Sequence, residues 1–471
     1  MLKSIDPASG RELATFDEAD EAAVEAAIAR AWDVRLGWRD AGIEHRSRLL
    51  KDVAGVLRAD KARYASILTS EMGKPIVEAE GEVEKCAWTA GWIGDNAARL
   101  LADEPIESTA TQSYVRYQPL GVVLAVMPWN FPFWQAFRAG LPALAAGNVM
   151  LLKHASNVPQ SALAIEEVFR EAGVPDGVFQ TLLIGSAAVE RIISDRRVAG
   201  VTLTGSEAAG AHVAATAGKA LKKSVLELGG SDPFIVLADA DVAAAATVAC
   251  RARNQNNGQS CIAAKRFIVV EDVADEFEKH FVGAVAALKV GDPMDRGNQV
   301  GPLARPDLID ALERQVKESV GMGARVLTGG KRLEESGNYY APTVLGGVSS
   351  NMPVFKEETF GPVAAVIRVK DEEEALQVAN NSDFGLGSSI WTRDIDKARR
   401  LAERVEAGLV FVNGMVASDA RLPFGGVKKS GYGRELSEFG IKEFVVAAAA
   451  GAGVFLAAFF FAASNLRAST E

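Results

Sequence analysis

The sequence predicts an α/β protein in which helices cover both faces of two parallel β-sheets. Short apolar runs alternate with helical segments from residue 121 onward, and this alternation occurs in two successive series. Such a rhythm is typical of parallel sheets, because each helical connection returns the chain to start the next strand at the same edge. The 471 residues, of which 48% are apolar and 24% charged, are enough for about two or three domains with large cores.

The first series follows a helical N-terminal region. Residues 18–72 contain Ala-rich amphipathic stretches near 20–32 and 46–70. Residues 107–118 alternate as an edge hairpin or ribbon would. The strands predicted next are Val122–Val126, Val149–Lys153, Val178–Ile184 and Val201–Thr204. The helices predicted between them are Ser161–Glu171, Ala187–Asp195 and Ala208–Leu221.

The second series begins after a strand at Ser224–Leu228. Its predicted strands are Phe234–Leu237, Arg266–Val270 and Ile390–Trp391. Its predicted helices are Asp241–Arg253, Val273–Leu288, Glu373–Asn380 and Ala398–Val405. The two series therefore predict two Rossmann-like domains with a cleft between them.

Charge and cysteine content narrow the class of protein. A net charge of −10 and a pI near 5.3 argue against a broad nucleic-acid footprint, which would need clustered Lys and Arg. The three cysteines, Cys86, Cys250 and Cys261, include no CxxC pair, and the four histidines lie far apart. We therefore expect a reducing compartment, no disulfide framework and no metal site. The N-terminus has no apolar signal region, so a cytoplasmic protein is predicted.

The C-terminal part is unusual. Residues 444–463 form a twenty-residue run without a charged or polar side chain, which is long enough to span a bilayer. The run is rich in Ala and Gly and has few basic residues beside it, and both features weaken a membrane interpretation. A buried packing segment or an oligomer interface is favoured, while a membrane anchor stays open.

Three short polar turns carry candidate catalytic groups. Cys261 follows the segment Asn-Asn-Gly-Gln-Ser, and Glu227 precedes Leu228 and two glycines. A thiol nucleophile and a carboxylate base are what two-step oxidation of an aldehyde needs, because the base must activate water to cleave the thioester. Asn130, in the Pro-Trp-Asn-Phe-Pro turn of residues 128–132, offers an amide donor for an oxyanion.

Together and in this order, these motifs closely resemble the aldehyde dehydrogenase superfamily over roughly residues 3–444. The chain is most similar to bacterial succinate-semialdehyde dehydrogenases, with Lys-His-Ala at 153–155 and Ser-Asp-Ala-Arg at 418–421. The resemblance implies a cofactor-binding domain, a catalytic domain and a β-ribbon that joins subunits into dimers or tetramers. It assigns residues 1–106 and 120–228 to the cofactor domain, 229–439 to the catalytic domain, and 107–119 with about 440–460 to the ribbon.

The cofactor-binding residues are predicted mainly from the resemblance to the family. No GxGxxG occurs, but the strand ending at Thr204 runs into Gly205 and Ser206, where Ser206 can cap a helix whose free amides hold a phosphate. Lys153 matches the family lysine at the adenine-side ribose. NAD-specific members usually carry Glu three residues later, where an acid would repel a 2′-phosphate; here the residue is Ser156. We therefore expect NADP to be preferred, with NAD possible.

Four further cofactor residues are predicted from the same family match. They are Trp129 beside the nicotinamide ribose, Leu228 after the catalytic glutamate, Glu358 on that ribose, and Phe360 near the ring. Without the resemblance, Trp129 would be an ordinary core residue and Glu358 part of a solvated acidic face.

Arg138 is the most informative residue for the substrate. It lies among aromatic residues eight positions after Asn130, and a buried Arg needs an anionic partner. Succinate-semialdehyde dehydrogenases use an Arg at this position to hold the substrate carboxylate, and Trp134 and Gln135 lie beside it. The alternative is a stacked or salt-bridged structural Arg. The remaining predicted substrate residues are Gln255, where some relatives have a second Arg, and Arg421.

The sequence thus predicts oxidation of succinate semialdehyde, or a similar short ω-carboxylated aldehyde, by a cytoplasmic NAD(P)-dependent homo-oligomer. Glu227 favours hydrolysis of the thioester over transfer to coenzyme A, because coenzyme A-acylating relatives lack this base. Three alternatives stay open: a broad aliphatic aldehyde dehydrogenase, a membrane-anchored fatty-aldehyde enzyme, and a non-catalytic cofactor-binding relative. A thiol hydrolase is disfavoured, because no His forms a recognisable pair with Cys261.

Overall fold

The N-terminal region is a small β-hairpin followed by four helices. The computed structural model describes residues 1–333 and 336–452. The elements of this region are β1 (Leu2–Ile5), β2 (Glu12–Phe16), α1 (Glu21–Asp40), α2 (Ile43–Ala59), α3 (Lys61–Met72) and α4 (Ile76–Leu100). Asp20 caps α1, because its side chain accepts a hydrogen bond from the Ala23 amide. Apolar residues of these helices pack into one core with the first sheet.

The first sheet has five parallel strands built as the sequence predicted. The elements are β3 (Glu104–Pro105), β4 (Gln112–Pro119), β5 (Val122–Val126), α5 (Pro132–Ala145), β6 (Val149–Lys153), α6 (Pro159–Glu171), β7 (Phe179–Thr181), α7 (Val189–Ser194), β8 (Val198–Thr204), α8 (Glu207–Lys219) and β9 (Lys223–Glu227). The parallel strands run in the order β9-β8-β5-β6-β7. Strand β6 is buried at every position, as a strand covered on both faces must be.

The second sheet contains seven strands. Its region comprises β10 (Asp232–Val236), α9 (Val242–Asn254), β11 (Ala264–Val270), α10 (Glu271–Ala286), α11 (Pro306–Gly321), β12 (Arg325–Thr328), β13 (Thr343–Gly346), α12 (Pro353–Lys356), β14 (Val363–Val369), α13 (Glu372–Asn380), β15 (Phe384–Gly385), β16 (Gly387–Trp391), α14 (Ile395–Ala402) and β17 (Leu409–Val412). The order is β12-β13-β14-β11-β10-β16-β17, with only β12 antiparallel to its neighbour. Phe267 and Val269 of β11 face one apolar core, and Ile268 and Val270 face the other.

The C-terminal elements tie the sheets together. They are β18 (Val427–Lys428), β19 (Gly431–Tyr432), α15 (Ser437–Ile441) and β20 (Val445–Ala452). Strand β19 adds an antiparallel edge to β9, and β18 pairs with β15. Strand β20 pairs antiparallel with β4, which also pairs with β3 to complete a three-stranded ribbon.

The predicted fold class is therefore confirmed, including the alternating ribbon segment. The domain boundaries inferred from the resemblance stay predictions. Of the apolar run at 444–463, residues 445–452 form strand β20, and residues 453–463 lie outside the described part of the chain. No helix within the described residues has the length and apolar character needed to cross a bilayer.

Candidate active site

Cys261 lies in the loop between α9 and β11, and the backbone before it is unusually constrained. Asn256 and Asn257 have φ values of 55° and 58°, in the left-handed region that Asn tolerates better than most residues. Gly258 also has a positive φ of 73°, and a Cβ there would lie 2.3 Å from the Gly361 carbonyl carbon. Only glycine fits at this close approach, so the polar turn before Cys261 is fixed by its backbone.

The loop is also held by a buried lysine. Lys265 Nζ donates hydrogen bonds to the backbone carbonyls of Ser260, Cys261 and Ala263 at 2.9, 2.7 and 3.1 Å. These three contacts close the loop around one ammonium group and give Cys261 a fixed backbone position. Lys265 also lowers the pKa of the Cys261 thiol by its charge, although burial outweighs this effect.

Asn130 is positioned against the same loop. Its Nδ2 donates to the Gln259 carbonyl at 3.1 Å, and its own carbonyl accepts from Asn256 Nδ2 at 2.8 Å. The Asn130 side chain is buried, and its turn runs directly into α5 at Pro132. The Asn130 side-chain amide, which was predicted to bind an oxyanion, therefore contacts the backbone of Gln259, two residues before Cys261.

Glu227 ends β9, and its carboxylate is buried without a hydrogen-bond partner among the described residues. A Cβ on Gly425 would lie 2.8 Å from Glu227 Oε1, so this glycine makes room for the carboxylate. Burial raises the pKa of Glu227 to about 8, with Glu435 acting in the same direction and Arg138 opposing it. A carboxyl group poised near neutral pH is suited to general-base work.

The thiol of Cys261 is not activated in the protein alone. Burial raises its pKa to about 12, and the charges of Arg138 and Lys265 only partly offset this. A thiol with such a pKa is protonated at neutral pH and is a poor nucleophile. Activation therefore needs a further positive charge near the sulfur, which a bound nicotinamide cation could supply.

Cys261 lines a cavity of about 580 Å³, the size of a small-molecule site. Four of the five predicted substrate residues line the same cavity: Trp134, Gln135, Arg138 and Gln255. The fifth, Arg421, does not line it. Its side chain is exposed and bonds Asp419 through Nε and Nη2 at 2.8 and 2.6 Å.

Arg138 is almost fully buried and already has an anionic partner. Its Nε makes an ion pair with Glu435 Oε2, and its Nη2 donates to Thr204 Oγ1 at 3.2 Å. The guanidinium also lies 4.5 Å from the ring centre of Phe424. Arg138 therefore lines the cavity as a hydrogen-bond donor whose charge is largely balanced by Glu435.

A second cavity, of about 350 Å³, lies where the cofactor residues were predicted. It is lined by Ser206 and Glu358 together with Glu207, Ala208, Gly229, Lys356, Glu357, Asp383 and Phe384. Ser206 caps α8 by accepting from the Ala209 amide at 3.4 Å, and Gly205 precedes this cap. The unpaired amides at the start of the 13-residue helix suit a phosphate.

Two glycines, at or near lining residues of this second cavity in the sequence, make tight packing contacts. A Cβ on Gly210 would lie 2.6 Å from a Leu228 methyl carbon, so the glycine lets α8 pack closely against the end of β9. A Cβ on Gly229 would lie 2.7 Å from Glu358 Oε2, while Glu358 Oε1 accepts from the Gly230 amide at 3.0 Å. The carboxylate is thereby held in place where a ribose hydroxyl could donate to it.

The remaining cofactor residues lie on the β6 side. Trp129 packs edge-on against Phe360, with 5.6 Å between ring centres. Lys153 is buried at the end of β6, and burial alone lowers the pKa of its ammonium. Ser156 is exposed in the turn that follows. Within the described residues Lys153 forms no ion pair, and an uncompensated ammonium followed closely in the chain by an exposed hydroxyl fits a phosphate-bearing ribose.

Several contacts of the site could not be predicted from local sequence. Lys85 of α4 lines the Cys261 cavity, and its Nζ donates to Ser418 Oγ at 2.6 Å, 333 positions away. Glu435 pairs with Arg138 from a segment that is also far away in sequence. In the described ranges, no group of three or more His, Cys, Asp or Glu side chains could hold a metal ion.

The family follows from comparison with known proteins. Residues 1–449 match the aldehyde dehydrogenase family. This chain belongs to that family. It is 52% identical over 446 residues to succinate-semialdehyde dehydrogenase NADP(+) 1 of Mycobacterium tuberculosis, which covers 94% of this chain and 98% of the relative. A probable succinate-semialdehyde dehydrogenase NADP(+) of Synechocystis is 50% identical over 444 residues, with the same two coverages.

Solved structures agree with this assignment. Succinic semialdehyde dehydrogenase from Streptococcus pyogenes, in complex with NADP+, superposes with a TM-score of 0.94 at 40% identity, covering 96% of this chain and 100% of that one. Succinate-semialdehyde dehydrogenase from Burkholderia pseudomallei gives a TM-score of 0.93 at 38% identity, with coverages of 96% and 94%. The resemblance to the aldehyde dehydrogenases, and among them to the succinate-semialdehyde dehydrogenases, is confirmed, and with it the enzyme class.

Proposed function

We propose that this aldehyde dehydrogenase oxidises succinate semialdehyde, or a similarly short ω-carboxylated aldehyde, to the acid with NADP+ as the preferred oxidant. The observation that carries the proposal is the sharing of one cavity by Cys261 and three basic side chains, those of Lys85, Arg138 and Arg251. A substrate with an aldehyde at one end and a carboxylate at the other matches such a cavity. The names of the relatives at 50–52% identity support the same substrate.

The first half of the reaction forms a covalent intermediate. The Cys261 thiolate attacks the carbonyl carbon, and the carbonyl π electrons move to oxygen. Asn130 Nδ2 and the Cys261 backbone amide donate hydrogen bonds to that oxyanion. When bound, the nicotinamide supplies the hydride acceptor that completes the oxidation. Loss of hydride from the former aldehyde carbon leaves a thioester on Cys261.

The second half releases the acid. Glu227 takes a proton from water, the water oxygen attacks the thioester carbon, and the Cys261 thiolate leaves with the C–S electron pair. The raised pKa of Glu227, about 8, keeps its proton affinity high enough for this task. A base at this position supports hydrolysis over transfer to coenzyme A.

NADP+ is proposed over NAD+ because Ser156 stands where an acid would repel a 2′-phosphate, and Lys153 offers a nearby positive charge. Trp129, Ser206 and Glu358 would hold the rest of the dinucleotide. We further propose a cytoplasmic dimer or tetramer that forms through the ribbon of β3, β4 and β20. Sedimentation equilibrium should give two or four times the chain mass, and a monomer would exclude this assembly.

Absorbance of the reduced nicotinamide tests the proposal. Succinate semialdehyde and butanal, which has the same carbon chain without the carboxylate, are each assayed with NADP+ and NAD+. The proposal expects the highest kcat/KM for succinate semialdehyde with NADP+. Equal kcat/KM for the two aldehydes would favour a broad aliphatic aldehyde dehydrogenase. No turnover with any combination would favour a binding protein.

A further inference from the structure

The substrate cavity is lined by a lysine, Lys85, that forms no ion pair with any of the described residues. Lys85 lies on α4, in the first half of the chain, and it lines the cavity together with Cys261 and Arg138. Its side chain is half-buried. A partly buried ammonium loses much of its hydration, so it is stable only if nearby groups replace that hydration.

The groups near Lys85 replace the hydration without cancelling the charge. Nζ donates to Ser418 Oγ at 2.6 Å and lies 4.3 Å from the ring centre of Trp134. A hydroxyl accepts a hydrogen bond but carries no negative charge, and an aromatic face offers only a weak electrostatic attraction. These contacts leave N–H groups of the Lys85 ammonium available to a further acceptor.

Two carboxylates whose charges act on Lys85, those of Glu82 and Asp419, are already paired with other cations. Glu82 forms a buried ion pair with Lys74, and Asp419 bonds the exposed Arg421. Burial lowers the pKa of Lys85 to about 8, and the Arg138 charge acts in the same direction, while Cys86, Glu82 and Asp419 oppose the shift. The ammonium is therefore still mostly protonated at neutral pH but is under-compensated in the free protein.

Arg138, by contrast, carries little net charge toward the cavity, because Glu435 pairs with it. Arg251, the other cavity-lining cation, is exposed, where water and salt screen its field. Of the three, Lys85 best combines partial burial with an unbalanced positive charge.

We infer that Lys85 is a specificity-determining residue that binds the distal carboxylate of the substrate, with Ser418 fixing the position of its ammonium group. This inference rests on the proposed function and deepens it, because it assigns the charge recognition to Lys85 and leaves hydrogen bonding to Arg138. The carboxylate would complete the ion pair that Lys85 lacks, and Trp134 would pack beside the short carbon chain.

The test compares wild type, Lys85→Met and Lys85→Arg on succinate semialdehyde and butanal with NADP+. Met keeps the length and apolar stem of the side chain but removes the charge. Loss of one hydrogen bond to a charged group should lower kcat/KM for succinate semialdehyde roughly 10- to 100-fold, mainly through KM. Butanal should keep its kcat/KM within about twofold. Arg should restore much of the lost preference, because it restores the charge.

The two proposals fail in different ways. If wild type shows no preference for succinate semialdehyde, both the proposed function and the Lys85 role are overturned. If wild type prefers it and Lys85→Met keeps that preference, only the Lys85 role is overturned. A loss of equal size on both aldehydes would give Lys85 a structural role and would also overturn the inference. If Lys85→Met does not fold, Lys85→Gln keeps a donor for Ser418 and gives the same comparison.

Discussion

Replacement of Glu227 by Gln should separate the two halves of the reaction. Gln keeps the volume of the side chain but cannot take a proton, so thioester formation should continue while hydrolysis stops. A positioned general base contributes about 10²- to 10⁴-fold, and a loss of this size is expected in the steady-state rate. The pH dependence of the wild type follows from the raised pKa of Glu227, about 8.

The direction of that pH dependence follows from the protonation state in which Glu227 acts. The ionised carboxylate is the base, so hydrolysis should accelerate as pH rises through 8 and then level off. With a pKa near 8, roughly one tenth of Glu227 is ionised at pH 7 and about nine tenths at pH 9, a gain of about tenfold in the hydrolysis step. Below pH 7 the rate should fall by about tenfold for each pH unit.

Stopped-flow absorbance of the reduced nicotinamide gives both quantities. Glu227→Gln should show a burst of about one equivalent of reduced cofactor for each active site and then almost no turnover. Wild type should show the pH-dependent phase after the burst. A steady-state rate within tenfold of wild type, or the complete loss of the burst in a folded variant, would refute the assignment of Glu227 as the hydrolytic base.

Three further predictions concern the nucleophile, the cofactor and the arginine. Cys261→Ala should abolish oxidation while fluorescence titration still detects cofactor binding; retained turnover would remove Cys261 as nucleophile. Ser156→Glu should lower the NADP+ to NAD+ ratio of kcat/KM by at least about tenfold, because the acid repels a 2′-phosphate, and an unchanged ratio would count against this reading. Arg138→Ala should lower kcat/KM for succinate semialdehyde far more than for butanal, whereas equal losses would make Arg138 structural. It should also cost about 3–5 kcal/mol of unfolding free energy in urea titration, because it leaves Glu435 buried without its partner; a loss below about 1 kcal/mol would contradict the buried ion pair.

Local sequence patterns predicted the parallel strands of the first sheet, but they missed helix α5. Every residue from Pro132 to Ala145 is buried, so the segment shows no polar face and no helical period that could be recognised. Its start is encoded by Pro132 at the first turn, where the missing N–H costs nothing. Strand β20 was also hard to predict, but for another reason. Its Ala-rich run has low strand propensity, and it forms a strand by pairing with β4.

The candidate site was predictable only where a motif names the residue. Cys261, Glu227 and Asn130 were predicted as catalytic residues from short turns whose chemistry is local. The charge balance of the cavity was not, because it depends on pairs far apart in sequence. Arg138 meets Glu435, and Lys85 meets Ser418, only after segments about 300 positions apart in the chain fold together. Burial then decides which of these cations retains an unbalanced charge, and no local pattern reports that.

The most direct test of the account is peptide mass spectrometry of the Glu227→Gln variant after brief reaction with succinate semialdehyde and NADP+. Blocked hydrolysis should leave a succinyl thioester on the peptide that contains Cys261, and hydroxylamine should remove it. The same treatment with butanal, at equal concentration, should label much less protein. A succinyl group on Cys86 or Cys250 in place of Cys261, or no label after a full burst of reduced cofactor, would contradict the assignment of Cys261 as the catalytic nucleophile.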